Sequence, residues 1–283
     1  LSTVIQSSFA AIERVFEILD EEEEIPDVEN PVKIENVKGN VTFEHVNFGY
    51  GENSTLIEDL NAEVKSGQMV AIVGPTGAGK TTLINLLMRF YDVKKGAIKI
   101  DGVDIRDMKR KDLRSMFGMV LQDTWLFNGT IFENIEYGRF GATKEEIIQA
   151  AKVANVHHFI TTLPDGYNMF LNEEASNISL GEKQLLTIAR AFISDPSILI
   201  LDEATSSVDT RLELMLQKAM RNLMNGRTSF VIAHRLSTIR NADLILVMNN
   251  GSIIEQGNHD ELMEKGGFYE KLYNSQFADK ESE

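Results

Sequence analysis

The chain has 283 residues, of which 43% are hydrophobic and 25% charged, an ordinary balance for a globular protein that buries a sizeable core. Its 43 acidic and 28 basic residues give a formal net charge of −15, which argues against a nucleic-acid-binding surface because phosphate contacts require clustered lysine and arginine. The absence of cysteine excludes disulfides and thiolate metal sites, and no apolar run approaches the ~20 residues of a membrane-spanning helix.

The beginning of the chain is predicted to form an amphipathic helix. Apolar residues recur there at steps of three and four: Leu1, Ile5, Phe9, Ile12, Phe16 and Leu19. The following stretch "DEEEEIPDVENP" combines a run of charge with two prolines and predicts a solvated linker. Because the sequence begins without an initiator methionine or a signal-peptide pattern, we expect a piece of a longer polypeptide. A simple N-terminal arm fits the same pattern.

Strand patterns begin at about Val41 and alternate with helical patterns along the rest of the chain. Strands are predicted at "VTFEHVNFGY", "QMVAIVG", "SILILDE" (197–203) and "TSFVIAH" (228–234), and "DLILVMNNGSIIEQG" predicts a hairpin with a type I′ turn at Asn250-Gly251. Helices are predicted over 81–90, 144–155, 180–193 and 210–224. The alternation predicts an α/β sheet with parallel strands, and the interval 123–194, which lacks strong strand signals, predicts a helical insertion.

The stretch "GPTGAGKTT" matches the pattern G-x-x-x-x-G-K-[ST] between a buried strand and an apolar helix. Glycines let successive backbone N–H groups surround phosphate oxygens, and the helix N-terminus adds the positive end of its dipole. A nucleoside triphosphate is therefore expected to bind at Gly74, Thr76, Gly77, Ala78, Gly79, Lys80, Thr81 and Thr82. Lys80 is expected to reach the β- and γ-phosphates, and the Thr81 hydroxyl to ligate Mg²⁺.

The strand pattern "SILILDE" ends in two carboxylates. Asp202 is expected to hold Mg²⁺, since enzymes with this loop place the metal between the loop hydroxyl and a strand-end aspartate. Glu203 is expected to polarise a water for attack on the γ-phosphate. An apolar run ending in Asp-Glu is by itself only a strand leaving the core, and the phosphate loop in the same chain is what makes the interpretation specific.

These motifs, in their order, resemble the nucleotide-binding domain of ABC transporters over about residues 40–275. "VLQDTWLFNGTIFENI" and "IAHRLSTIRNAD" are similar to the exporter branch, multidrug-type half transporters in which membrane and nucleotide domains share one polypeptide. The resemblance implies an α/β fold: a P-loop NTPase (RecA-like) core, an antiparallel β-subdomain and an α-helical subdomain at about 123–194. It assigns residues 1–25 to the end of a preceding membrane-domain helix and an acidic linker, and residues 26–283 to the nucleotide-binding domain.

The resemblance also assigns roles to residues whose type alone would not single them out. Tyr50 matches the aromatic residue that stacks on adenine, although a tyrosine at a strand end is also an ordinary packing residue. Gln122 matches a glutamine that ligates Mg²⁺ and links the site to the membrane domain. Asp209 matches the D-loop aspartate of the family and also suits the N-cap of the next helix. His234 matches the histidine that contacts the γ-phosphate and positions the water next to Glu203.

The stretch "ISLGEKQ" occupies the place of the family signature Leu-Ser-Gly-Gly-Gln. Ser179 is the predicted N-cap of a helix, and Glu182, three residues later, completes a capping box. In the family, the signature serine and the helix N-terminus contact the γ-phosphate of ATP held by the opposite subunit, so Ser179 and Gly181 are assigned to that contact. Leu180 replaces a glycine, and Glu182 replaces a neutral amide with a carboxylate. We expect an intact helix and a poor signature.

These differences predict an asymmetric pair of ATP sites. Because the nucleotide-side residues are complete while the signature is altered, we expect a heterodimeric exporter with one degenerate site, whose partner supplies a regular signature. A symmetric dimer that tolerates "ISLGE" is the alternative. The implied cofactors are ATP and Mg²⁺. The implied partners are a second nucleotide-binding domain and the membrane-spanning domain of the same polypeptide, with no nucleic acid.

The resemblance implies an ATP hydrolase that powers substrate export across a membrane through ATP-driven dimerisation. It places the chain at the cytoplasmic face of the cell membrane, as a part that would be soluble by itself. A soluble ABC-type ATPase acting on nucleic acid or ribosomes is an alternative, disfavoured by the net charge of −15 and by the lack of a long coiled coil or a second cassette. A regulatory P-loop switch is disfavoured by Glu203 and His234.

Overall fold

The computed structural model describes residues 2–21, 24–51, 54–121, 124–172, 175–202, 210–233 and 235–276. The strands of its central sheet are β3 Met69–Val73, β6 Phe117–Val120, β9 Ile198–Asp202, β10 Thr228–Ile232, β11 Leu244–Asn249 and β12 Ser252–Gly257. Their order is β12-β11-β3-β10-β9-β6, and all neighbours are parallel except the β11–β12 pair. The inner strands consist almost entirely of buried apolar residues, as strands covered on both faces do. The predicted α/β class is confirmed.

The hairpin of β11 and β12 turns at Asn250 and Gly251, which have φ values of 47° and 78°. Two successive positive φ angles are what a type I′ turn requires, so the predicted turn is confirmed. Glycine is needed at the second position, because a Cβ on Gly251 would lie 1.4 Å from the backbone oxygen of Leu56. The Gly251 N–H also donates to the backbone oxygen of Ala78 at 3.1 Å, which joins the turn to the predicted phosphate loop.

A second sheet is antiparallel and matches the β-subdomain that the resemblance implies. Its strands are β1 Val41–Phe48, β2 Ile57–Val64, β4 Lys95–Ile100 and β5 Val103–Asp104, in the order β2-β1-β4-β5. One helix, α2 Lys80–Leu87, shares a hydrophobic core with both sheets, and α3 Arg110–Ser115 follows the second sheet. Helix α2 ends before the predicted boundary at residue 90, since Arg89 takes a left-handed φ of 52° that cannot continue a helix.

The interval between β6 and β9 is mostly helical in its described part. Its elements are β7 Gly129–Thr130, α4 Ile131–Glu136, α5 Lys144–Val153, α6 His157–Thr162, β8 Phe170–Leu171 and α7 Leu180–Ile193. Capping boxes begin α4, α5 and α7, with Thr or Ser at the N-cap and Glu three residues later. The predicted helices over 144–155 and 180–193 are confirmed, while the subdomain boundaries stay a prediction.

The helices after β9 are α8 Thr210–Met224, α9 Leu236–Arg240, α10 His259–Glu264 and α11 Phe268–Gln276, and α8 agrees with the prediction over 210–224. Helices α7 and α8 cover the other face of the central sheet, where Leu185 and Leu216 share a core with Leu199 and Leu201. No helix in the described ranges combines the length and the apolar character that crossing a bilayer would require.

The N-terminal helix, α1 Ser2–Leu19, confirms the predicted amphipathic helix. Its apolar side chains are exposed: Ile5, Phe9, Ile12, Val15, Phe16 and Leu19. The described residues of the linker that follows, 20–21 and 24–30, are exposed, as the prediction of a solvated linker requires. Asp27 accepts hydrogen bonds from the backbone and the guanidinium of Arg110, so arginine side chains hold this part of the linker against the domain.

Candidate active site

The loop from Gly74 to Gly79 connects β3 to α2 at the carboxyl edge of the central sheet. Gly74 has a φ of 154°, and a Cβ there would lie 2.2 Å from the backbone oxygen of Met248, so no other residue fits. Gly79 is the N-cap of α2 and has a φ of 101°, in the left-handed region that glycine tolerates. The loop therefore leads directly into a helix N-terminus, where free N–H groups and the helix dipole favour a phosphate.

The Lys80 side chain folds back over this loop. Its ammonium donates to the backbone oxygens of Gly74 at 2.8 Å and Pro75 at 3.0 Å. Burial lowers the pKa of Lys80, and the carboxylate of Asp202 acts in the opposite direction by attraction. A lysine ammonium has three donors, so these two bonds leave one N–H to meet a phosphate oxygen.

The central sheet fixes the relative position of the phosphate loop and Asp202. Ile232 at the end of β10 pairs with Ile72 of β3 on one side and with Asp202 of β9 on the other. Adjacent strands lie roughly 4.8 Å apart, so the acid stands about two strand spacings from the strand that enters the loop. Because the strands are parallel, the Lys80 ammonium and the Asp202 carboxylate lie at the same edge of the central sheet.

Thr81 and Asp202 fit a Mg²⁺ ion in ligand type. Thr81 is exposed at the first turn of α2, and Asp202 is partly exposed at the end of β9. Among the described residues, no group of three His, Cys, Asp or Glu could hold a metal. Mg²⁺ is usually bound through one or two protein oxygens together with substrate phosphates, and Thr81 and Asp202 supply oxygens of that kind. The third predicted ligand, Gln122, lies outside the described residues.

Tyr50 lies beside the first turn of α2, although it is far from the loop in sequence. Its hydroxyl is 3.1 Å from the Thr82 hydroxyl, and its ring, 54% exposed, meets the edges of Phe48 and Tyr91 at centroid distances of 5.1 and 5.0 Å. An exposed aromatic ring next to a phosphate loop suits adenine stacking, which stays a prediction for Tyr50. Sequence reasoning did not single out Tyr91, for which the available signal was an aromatic residue directly after the helix predicted over 81–90.

Three other predicted residues also fall outside the described part of the chain: Glu203, Asp209 and His234. The residues just before two of them are described. Asp202 ends β9 and precedes Glu203, while Ala233 follows β10 and precedes His234. Strands β9 and β10 are adjacent and parallel. The roles assigned to these residues stay predictions.

The predicted capping box of the altered signature is present. Ser179 is the N-cap of α7; its backbone N–H donates to Oε2 of Glu182 at 2.8 Å, and its hydroxyl accepts from the Glu182 N–H at 3.4 Å. Gly181 is buried in the first turn, whereas Leu180 is 49% exposed. The helix is therefore intact, and its tip presents a branched apolar side chain and a carboxylate.

Known bacterial proteins are similar to this chain. A fatty acid ABC transporter ATP-binding/permease protein of Mycobacterium tuberculosis (strain CDC 1551 / Oshkosh) is 58% identical over 268 residues, covering 95% of this chain and 42% of that protein. An uncharacterized ABC transporter ATP-binding protein of Bacillus subtilis (strain 168) is 52% identical over 271 residues, covering 96% of this chain and 45% of that protein. This chain thus spans less than half the length of either relative.

The fold is also found among solved structures. The structure of a bacterial Atm1-family ABC exporter with ATP bound superimposes with a TM-score of 0.86 at 42% sequence identity, covering 96% of this chain and 48% of that one. The family model described as ABC transporter matches residues 57–206, more than half of the 283 residues. The chain therefore belongs to the ABC transporter family.

Proposed function

We propose that this chain is the ATP-binding and ATP-hydrolysing domain of an ABC exporter, working at the cytoplasmic face of a cell membrane. The observation that carries the proposal is the placement of Lys80 and Asp202 at one edge of the sheet, where the loop enters α2. P-loop enzymes that transfer phosphoryl groups hold Mg²⁺ between the loop hydroxyl and such a strand-end acid. The Mycobacterium tuberculosis relative is named an ATP-binding/permease protein, which does not favour a soluble ATPase acting on nucleic acid or ribosomes.

The loop residues bind and orient ATP in this proposal. The N–H groups at the start of α2 and the free donor of Lys80 hold the β- and γ-phosphates, while Tyr50 stacks on adenine. Thr81, Gln122 and Asp202 would hold Mg²⁺, which would offset the charge that develops on the transferring group. Glu203 orients and polarises the attacking water, and His234 contacts the γ-phosphate and keeps that water in place.

A second nucleotide-binding domain completes each site, with its signature facing the nucleotide held here. In the other site, where the signature of this chain faces the nucleotide of the partner, this chain contributes Ser179 together with the carboxylate of Glu182. A carboxylate in the first turn stabilises a helix by about 0.3–1 kcal/mol. The same charge at roughly 4 Å from a phosphate costs about 4 kcal/mol at an effective dielectric of 20, before screening by Mg²⁺. The electrostatic repulsion of the phosphate is larger than the stabilisation of the helix by Glu182. The ATP site formed with this signature should therefore be the less active of the two.

This imbalance favours a partner that is a different polypeptide. A homodimer would pair each complete phosphate loop with the altered signature, whereas a heterodimer with a regular signature forms one fully competent site. Leu180 adds to the imbalance, because its exposed side chain stands at the tip of α7, where backbone would otherwise approach a phosphate closely.

A membrane-spanning domain of the same polypeptide is the other proposed partner. One surface that suits it is a cluster of rings in contact around α4: Trp125, Phe127, Tyr137 and Phe140. Trp125 and Phe140 are 62% and 79% exposed, and exposed aromatic clusters mark interaction sites. Arg190 holds this aromatic cluster in place. It donates to the Trp125 backbone oxygen at 2.9 Å, and its guanidinium lies over the Tyr137 ring.

The function is tested by the ATPase activity of the full natural polypeptide assembled with its partner. Lys80→Met is expected to lower ATP turnover by about 100-fold or more, because it removes a transition-state contact. Lys111→Met, on the exposed side of α3, is the matched control and should retain activity. Unchanged turnover in Lys80→Met, or rapid hydrolysis by a dilute monomer of this chain alone, would contradict the proposal.

A further inference from the structure

Three aromatic rings lie in contact with one another next to α2, close to where the nucleotide base is proposed to bind. Phe48, at the end of β1, is buried, whereas Tyr50 and Tyr91 are 54% and 46% exposed. The three ring centroids lie 5.0 to 5.6 Å from one another. The cluster therefore has one ring in the core and two rings that a ligand can reach.

Perpendicular contacts hold the ring of Tyr50. The rings of Phe48 and Tyr91 are inclined to it by 85° and 84°, at centroid distances of 5.1 and 5.0 Å. This edge-to-face arrangement is one that aromatic pairs prefer. Thr82 adds a third contact, because its hydroxyl lies 3.1 Å from the Tyr50 hydroxyl. An exposed ring that would otherwise turn between rotamers in solvent is thereby kept in one orientation.

Tyr91 is itself placed by its neighbours in the sequence. Arg89 is 3% exposed, and it donates to Asp92 Oδ1 at 2.8 Å and to the Met108 backbone oxygen at 3.0 Å. Val93 is buried in the core that the two sheets share. The backbone is therefore fixed on both sides of Tyr91, although the Tyr91 ring lies at the surface.

Lys94 contacts the loop that follows Tyr50. Its ammonium donates to the backbone oxygen of Gly51 and, at 3.2 Å, to that of Ser54. Its backbone N–H donates to the Asn47 backbone oxygen at 2.9 Å. The segment after α2 therefore contacts the chain both before and after Tyr50, in addition to the contact between the rings.

Helix α2 connects the two ends of the proposed nucleotide site. The phosphate loop leads into its first residue, Lys80, and the segment with Tyr91 follows its C-cap residue, Met88. The helix has 8 residues, so it spans about 12 Å at 1.5 Å per residue. Tyr50 contacts both ends, because its hydroxyl meets Thr82 in the first turn and its ring meets Tyr91 beyond the last turn. The ring proposed for the base is thus fixed relative to the helix whose N-terminus faces the phosphates.

We propose that Tyr91 is a positioning residue for the nucleotide base, which acts by holding the ring of Tyr50 in the orientation that stacks on adenine. The inference rests on the proposed function, in which Tyr50 provides that stacking. It adds a residue that lies outside the sequence motifs of the site. Replacing Tyr91 should weaken the part of nucleotide binding that depends on the base and leave the part that depends on the phosphates.

The test measures these two parts of binding separately. The full natural polypeptide is assembled in lipid nanodiscs with a partner whose own phosphate loop has been inactivated. Titration calorimetry with Mg²⁺ then gives the Kd for ADP and for pyrophosphate, of which only ADP carries the base. Tyr91→Leu is expected to raise the Kd for ADP by about 3- to 10-fold, because one edge-to-face contact of Tyr50 is lost. The Kd for pyrophosphate should stay within about twofold, which also shows that the variant is folded.

Two control variants are matched to Tyr91→Leu. Tyr91→Phe keeps the ring and should keep both Kd values. Phe90→Leu replaces the neighbouring ring, which is likewise 46% exposed but lies under the Arg114 guanidinium, and for which the described residues show no ring contact with Tyr50. This variant should leave both Kd values within about twofold.

A double-mutant cycle shows whether Tyr91 acts through Tyr50. Tyr50→Ala alone should raise the Kd for ADP by about 5-fold or more, because base stacking is lost. Adding Tyr91→Leu to this variant should change the Kd by less than about twofold, since no ring is left to position.

Four results would overturn the inference. If Tyr91→Leu keeps the Kd for ADP while Tyr50→Ala raises it, the Tyr50 ring needs no support, and the proposed function stands without the inference. If Tyr91→Leu weakens ADP and pyrophosphate equally, the ring only stabilises the domain. If Tyr91→Leu still weakens ADP binding in the Tyr50→Ala variant, Tyr91 contacts the base directly. If the unmodified polypeptide binds neither ligand, the proposed function itself fails, and the inference fails with it.

Discussion

Gly74 shows how a single residue shapes the phosphate loop. With a φ of 154° and the Met248 backbone oxygen 2.2 Å from the place of a Cβ, the position excludes every other residue. Gly74→Ala is therefore expected to lower the free energy of unfolding by about 3 kcal/mol or more, since backbone must shift and the dihedral is strained.

The control for this prediction is Gly67→Ala, in the turn before β3. Gly67 has a φ of 79°, but a Cβ there would have no atom within 4 Å. The expected cost is about 1–2 kcal/mol, from the left-handed backbone alone. Urea unfolding of both variants would measure the difference, and equal losses would show that the close approach to Met248 does not matter.

Tyr50 carries a prediction about nucleotide affinity. Stacking of a base on an aromatic ring contributes roughly 1–3 kcal/mol, so Tyr50→Ala should raise the Kd for ATP by about 5- to 150-fold. Tyr50→Phe keeps the ring and removes only the contact with the Thr82 hydroxyl, so its Kd should change little. Titration calorimetry with ATP and GTP would check both. If Tyr50→Phe weakens binding as much as Tyr50→Ala, the hydroxyl rather than the ring is the important group.

At the scale of elements, the capping boxes of α4 and α5 predict a dependence of stability on pH. Hydrogen bonds from the backbone N–H of the N-cap residue, Thr130 or Thr143, lower the pKa values of Glu133 and Glu146 below the ordinary 4.5. A lowered pKa in the folded state means that the carboxylate stabilises the fold above pH 4.5. This contribution is lost as the pH falls from there through the lower folded-state values.

The corresponding experiment compares thermal unfolding of the Glu133→Gln/Glu146→Gln variant with the unmodified chain. The variant should be less stable at pH 7, and the difference should shrink as the pH is lowered below 4.5. Glu145→Gln is the control: it changes an acid in the same turn of α5 that is not the capping residue. A stability difference independent of pH would show that the carboxylate form is not what caps these helices.

The elements that sequence reasoning found are those with an unbroken local pattern. Strands β3, β9 and β10 are continuous apolar runs, and α7 and α8 show helical spacing over many residues. Strand β2 escaped prediction because bulges in its pairing with β1 break the alternation of buried residues. Strand β4 carries Lys95, Gly96 and Lys99, which obscure its pattern, and β5 is too short to show one.

The candidate site was predictable where a motif fixes the spacing. The phosphate loop and Asp202 follow from local sequence, and the structure brings them to one edge of the sheet. The hydroxyl contact between Tyr50 and Thr82 depends on the second sheet, so only family resemblance could suggest it. The docking of Asp27 on Arg110 joins residues 83 positions apart, and no local pattern in the acidic linker predicts it.

At the scale of the whole molecule, asymmetry of the two ATP sites is the main prediction. In the assembled dimer, Glu203→Gln in this chain should lower total ATP turnover by about 100-fold, because the competent site uses this residue. Glu182→Gln should leave that site unchanged and speed the other, since it removes the charge facing the partner's nucleotide. Single-turnover ATPase assays of mixed subunits would measure both. Full activity of this chain paired only with itself would contradict the asymmetry.

The contacts of the β11–β12 turn have a consequence for biosynthesis. The phosphate loop leaves the ribosome early, yet the backbone that lies against it, at Met248 and at the Gly251 N–H, follows about 170 residues later. A nascent chain that ends before residue 244 lacks these contacts, although it already contains the whole glycine-rich motif. We therefore expect nucleotide capture to begin only once translation has passed β12.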